Sequence, residues 1–137
     1  MPDLELNIPN KVEELTTIAQ ALENFGDRCE WPLNQVLSLN LVIEELFTNI
    51  VFYGFSDKLE HLIHLQIVYE DGIVRMCLTD DGLAFNPLEN EAPDTKLEVD
   101  ERPIGGLGIH FVKNLMDEIQ YERRDGKNIL CMQKKII

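Results

Sequence analysis

Positive charge is what this chain has least of. Its 12 Lys and Arg stand against 25 Asp and Glu, for a formal charge of -13 over 137 residues. The only basic clusters, Arg123-Arg124 and Lys134-Lys135, are pairs. A surface of this sign repels nucleic-acid backbones and anionic lipid, so neither is an expected partner. Cysteine is scarce too. Cys29, Cys77 and Cys131 are odd in number, far apart and without metal-ligand spacing, which reads as free thiols in a reducing cytosol. His61, His64 and His110 likewise share no metal spacing. No apolar run reads as long enough to cross a bilayer, and the opening Met-Pro-Asp-Leu-Glu is acidic where a targeting segment is basic. A cytoplasmic protein is expected. There is no internal repeat and no linker, and the length suits one domain.

What is present is enough apolar side chain, 45% of the residues, to build a core. Residues 3–8 alternate polar and apolar, as a half-buried strand does. Asn10 and Glu13 have the spacing of a capping box, opening a helix to about Phe25 with Gly26 as its stop. Trp31-Pro32 leads into a second helix ending near Gly54. Two hairpins follow from Asp71-Gly72 and Asp125-Gly126, since a two-residue turn needs positive φ. They join strands over 61–69 and 73–79, and over 119–123 and 128–134. Between the hairpins lie a long acidic loop with three prolines and a short helix reaching about Met116. The order β, α, α, β, β, loop, α, β, β predicts an α+β fold. A mostly antiparallel, mixed sheet has helices on one face, as a two-layer sandwich.

Three polar constellations interrupt this pattern. The second helix is apolar almost all round and so is expected to be buried on most sides. Yet Glu45 and Asn49, four residues apart, stack on one face with Thr48 beside them. A buried carboxylate needs compensation, which a polar cleft or a hydrated metal supplies. The alternative is a plain solvent stripe. Asp80-Asp81-Gly82 ends a hydrophobic strand, where an Asp can accept from an exocyclic amine and a Gly lets a ring approach. An ordinary turn reads the same way. Gly105-Gly106-Leu107-Gly108 opens a helix, where bare backbone N–H groups can close on phosphate oxygens, or where a chain simply hinges. It matches neither a Walker loop nor a dinucleotide fingerprint.

In this order the three resemble the boxes of the GHKL ATPase superfamily, the Bergerat ATP-binding fold shared by gyrase, heat-shock chaperone, histidine-kinase and mismatch-repair ATPases. Glu-Glu-Leu-Phe-Thr-Asn is similar to the N-box, Asp-Asp-Gly to the G1 box and Gly-Gly-Leu-Gly-Ile-His to the G2 box. Within the superfamily the wording, including Leu-Met-Asp-Glu-Ile at 115–119, resembles bacterial anti-sigma-factor serine/threonine kinases. The resemblance implies one histidine-kinase-like ATPase domain over 1–137, with N-box 44–54, G1 box 80–84, ATP lid 86–104 and G2 box 105–110. It implies ATP and Mg²⁺ as ligands, with Asn49 on the metal, Glu45 as general base, Asp80 on the adenine amino group and Gly82 giving the ring room. Gly105, Gly106, Leu107 and Gly108 would cradle phosphates. Ile104 stands where the best-known kinases carry Arg, and Arg102 lies two residues earlier. The implied activity is phosphorylation of a small anti-sigma antagonist protein, with a sigma factor as a further partner and a homodimer as the assembly. The competing readings are a non-catalytic ATP-gated module that sequesters a partner, and a detached histidine-kinase catalytic domain.

Overall fold

The computed structural model describes residues 3–89 and 106–136. Five strands, β1 (Leu4–Pro9), β2 (Leu62–Glu70), β3 (Ile73–Asp80), β4 (Glu118–Arg124) and β5 (Lys127–Lys135), form one sheet in the order β1-β2-β3-β5-β4. Every pairing is antiparallel. The hairpins turn on Asp71-Gly72 (φ 54° and 77°) and Asp125-Gly126 (φ 54° and 75°), as the dipeptides predict. Alternation then sends Ile63, Leu65 and Ile67 of β2, Val74, Met76 and Leu78 of β3, and Leu130 and Met132 of β5 into one buried core.

The other half of that core comes from α1 (Leu15–Arg28), α2 (Leu33–Tyr53) and α3 (Gly106–Leu115). Leu39, Val42, Ile43 and Phe47 place one stripe of α2 at the centre. That stripe is narrower than the composition suggested, because Leu33, Leu37 and Leu41 stay exposed. By length and mean hydropathy alone α2 does meet the requirement for a bilayer span, contrary to the reading that no such run exists. Here its apolar stripe packs in the core with sheet and helix residues, and Glu44 lies exposed away from it.

Three local expectations are corrected. Gly26 does not stop α1; the helix runs on to Arg28, and Glu30 at φ 59° turns the chain. Gly26 is bare because a Cβ there would come 2.7 Å from Val36 Cγ2 and 3.3 Å from Trp31. Asn10 caps no helix: a 3₁₀ turn over Val12–Glu14 precedes α1, and Asn10 Oδ1 instead accepts from the His61 N–H at 2.9 Å. The thiols are not all free either. Cys77 and Cys131 face each other in the β3–β5 register, Cα to Cα 4.1 Å, and are joined as a disulfide, leaving Cys29 as the free thiol. A pairing across 54 residues depends on strand order, which spacing in the sequence does not reveal.

Candidate functional site

Strand β3 ends on an inward-facing position, so the alternation that buries Val74, Met76 and Leu78 also buries Asp80. The residue is 6% exposed, and burial pushes its carboxyl above the usual range, opposed by hydrogen bonds from Asn128 and the Gly82 N–H. Both donors reach the same oxygen: Asn128 Nδ2 lies 3.1 Å and Gly82 N 2.9 Å from Oδ1. Among the described residues no donor occupies Oδ2.

Asn128 holds this corner together. It stands opposite Asp80 in the β3–β5 register and is buried. Besides Asp80, its amide nitrogen donates to Leu83 O at 2.8 Å. Its oxygen accepts from the Tyr121 hydroxyl and from the Phe85 N–H at 3.3 Å. All four bonds that an amide can make are therefore used. The Asp81-Gly82-Leu83 turn is fastened on its other side as well. Arg123 Nη1 donates to Gly82 O at 2.8 Å, and Leu83 N donates to Gly54 O at 2.8 Å. At Gly82 a Cβ would run into Gly54 O and stand 2.9 Å from Asp80 Oδ1, so the close approach of the two backbone segments requires glycine.

The turn borders a cavity of about 240 Å³ whose walls include Asn49, Asp80, Leu83, Phe85, Tyr121 and Asn128. Asn49 and Asp80, placed on one site by the sequence, thus share a cavity. Asn49 is supplied by α2, one turn after Glu45, and its amide nitrogen is buried with no partner among the described residues. Thr48 is turned to its own helix, its hydroxyl donating to Glu44 O, and takes no part. Glu45 is directed at α3: a Cβ on Gly108 would collide with Glu45 Oε2. Gly106, Leu107 and Gly108 form the first turn of α3. The N–H groups of such a turn have no intrahelical acceptor and carry the positive end of the helix dipole. Gly105, Arg102, Ile104 and residues 90–104 of the expected lid lie outside the described residues; residues 87–89 form a 3₁₀ turn.

Sequence reasoning missed Asn128, Tyr121 and Arg123. Asn128 did carry a signal: it is an amide at the inward parity of a strand that otherwise turns Leu130 and Met132 to the core. Its partner could be found only once β5, not β4, was known to lie beside β3.

The arrangement can be compared with known proteins. A serine/threonine-protein kinase of Bordetella bronchiseptica, BtrW, is 29% identical over 111 residues, covering 81% of this chain and 78% of that one. A serine-protein kinase of Bacillus cereus, RsbW, is 27% identical over 131 residues, covering 93% and 81%. Among solved structures, the RsbU and RsbW domains of a Mycobacterium tuberculosis protein align with 99% of this chain at a TM-score of 0.68 and 14% identity. The blue-light activated histidine kinase of Erythrobacter litoralis aligns with 77% at 0.56 and 18% identity. This chain spans about a third of each of those two structures, and the likeness is one of fold. Residues 8–134, nearly all of it, match the family described as the histidine kinase-like ATPase domain, and the chain belongs to that family.

Proposed function

We propose that this chain is an ATP-dependent serine/threonine protein kinase acting as an anti-sigma regulatory factor, which phosphorylates a small anti-sigma antagonist protein. The observation that carries the reading is the Asn49 amide nitrogen, buried without a partner among the described residues, on a residue that lines the same cavity as Asp80. The protein kinase names of the two relatives support it.

Each residue then has a task. Asp80 Oδ2 accepts from the exocyclic amine of adenine, while Asn128 and the Gly82 N–H hold Oδ1 and so fix the carboxylate plane. The first turn of α3, Gly106, Leu107 and Gly108, would take the phosphate oxygens, and Gly105 is proposed to bind them as well. Asn49 fits a magnesium ligand. Its two amide ends interchange by a half-turn, so an oxygen can be presented to the cavity. Mg²⁺ keeps several waters and is commonly held by few protein oxygens plus phosphates. When bound it neutralises charge on those phosphates. Glu45, one turn earlier on α2, takes the proton from an incoming serine hydroxyl. The serine oxygen bonds to the terminal phosphorus, and the bond to ADP breaks with its electron pair leaving on ADP. The lid over 86–104, the sigma factor, a homodimer and a cytoplasmic location complete the proposal.

The test is radiolabel transfer from ATP to a candidate antagonist, beside calorimetric ATP binding with and without magnesium. Glu45→Ala is expected to retain binding and to lose transfer by about 10²–10⁴-fold. Asn49→Ala is expected to lose both, together with the magnesium dependence. Glu44→Ala, about 100° round the helix and exposed, should change neither strongly. Transfer by Glu45→Ala at the wild-type rate would remove it as the base. Wild type that binds a partner only with ATP, yet phosphorylates nothing, would make the chain a switch.

A further inference from the structure

The His61 ring lies between two carboxylates. Its Nε2 is 2.8 Å from Asp57 Oδ1 and its Nδ1 is 3.1 Å from Asp81 Oδ1. The ring also stacks on Phe55, with centroids 4.1 Å apart and planes 11° from parallel. Its backbone is fixed by Asn10, which accepts from His61 N and donates to His61 O, both at 2.9 Å. A neutral imidazole has one N–H and can donate to only one of these carboxylates; the lone pair of its other nitrogen would face the second. Both contacts are favourable only in the imidazolium.

Asp81 is the middle of the turn that carries the site. Asp80 before it holds the ligand-facing carboxylate, and Gly82 after it is pressed against Gly54 O. The segment from Gly54 to His61 therefore grips the turn twice, through Gly54 O on Leu83 N and through the His61 ring on Asp81. We propose that His61 is a positioning residue for the nucleotide site. As imidazolium it latches the Asp80–Leu83 turn to the α2–β2 connection, and loss of its proton loosens the adenine wall and weakens ATP binding. This inference rests on the nucleotide reading given above.

The electrostatics run the same way. The hydrogen bond to Asp57, with the charges of Asp57 and Asp81, holds the ring above its ordinary value of 6.5 against a smaller desolvation effect. Of the other charged side chains on the flanking segments, Lys11 and Glu60 are paired with each other at 2.9 Å and Lys58 is exposed. A raised folded value means that the latch is complete below the ordinary value and is lost as pH rises through the raised one.

Calorimetry of ATP with wild type, His61→Gln and Asp81→Asn across pH 6 to 9 tests this. The difference between proteins removes the titration of the phosphates of ATP itself. Wild-type affinity should fall roughly two- to fivefold as the ring deprotonates, the scale of a partly exposed ion pair. His61→Gln should sit at the weak level throughout, and Asp81→Asn should flatten most of the profile. In the transfer assay KM for ATP should rise with kcat unchanged, which a general loss of folded protein would not produce. A proton NMR titration, with the His61 signal identified by its absence from His61→Gln, should give a value above the ordinary one. Parallel profiles for wild type and His61→Gln, or a ring titrating at or below its ordinary value, would overturn the latch. No ATP binding by wild type at any pH would instead remove the nucleotide site, and this role with it.

Discussion

Asp80 brings a carboxylate to a place where the fold alone would favour a neutral group. Burial raises its folded value above the ordinary 3.8, so the folded state binds the proton more tightly than the unfolded chain. Stability therefore increases as pH falls from the raised value toward 3.8, and above the raised value the ionised form leaves its burial cost in place. Asp80→Asn removes that cost and keeps an oxygen for Asn128 and Gly82. At neutral pH the ligand-free variant should melt at or above the wild-type temperature. The second atom of the new amide is a donor, however, and would face the adenine amine donor to donor. ATP affinity should fall by about 1–3 kcal/mol, the scale of a buried polar group without its partner. Thermal denaturation and calorimetry on one preparation measure both. Wild-type ATP affinity in Asp80→Asn would mean that this carboxylate does not contact adenine.

At the scale of elements, features set by neighbouring residues are legible in the sequence. A two-residue hairpin turn requires positive φ at both central positions, which Asp-Gly tolerates, so the two hairpins were visible, as were α2 and the alternation of β2. Features set by two distant segments were not. Asn10 is a helix-capping residue by its spacing, but the strand end at His61 competes for its side chain and wins. Gly26 looks like a helix stop until Val36 and Trp31 are placed over it. Of the candidate site, the two cavity-lining residues Asn49 and Asp80 were legible because each is polar within an apolar periodicity. Asn128 and the His61 latch were hidden because their partners are 48 and 20 residues away. Gly26→Ala separates the two readings of that glycine. A helix stop would be indifferent to a methyl or would gain up to about 1 kcal/mol of helix propensity. The contact at 2.7 Å with the stiff, branched Val36 predicts overpacking instead, about 1–3 kcal/mol. Net destabilisation in urea titration is expected, and Val36→Ala in the same chain should recover part of it.

Over the whole molecule, the disulfide ties the site's two strands into one unit. Cys77 lies three residues before Asp80 and Cys131 three residues after Asn128, so the bridge spans the strand pair that carries the Asp80–Asn128 hydrogen bond. The cysteines sit half-buried at the parity opposite the core, where a reductant can reach them. The loop they close spans 54 residues and contains the Asp81–Leu83 turn, α3 and β4. Closing a loop of that length in the unfolded chain removes entropy worth about 4 kcal/mol on the chain-entropy account. That is a large part of the roughly 5–15 kcal/mol that holds an ordinary domain together. Cytosolic disulfides are usually transient, so in the proposed compartment the pair would pass between bridge and dithiol. In a Cys29→Ser background, where only this pair can respond, dithiothreitol should lower the urea midpoint, and Cys77→Ser should show the lowered midpoint with or without reductant. Alkylation under denaturing conditions should count no free thiols before reduction and two after it. Equal midpoints for the oxidised and reduced proteins would mean that the bridge contributes nothing to stability and that packing alone sets the β3–β5 register.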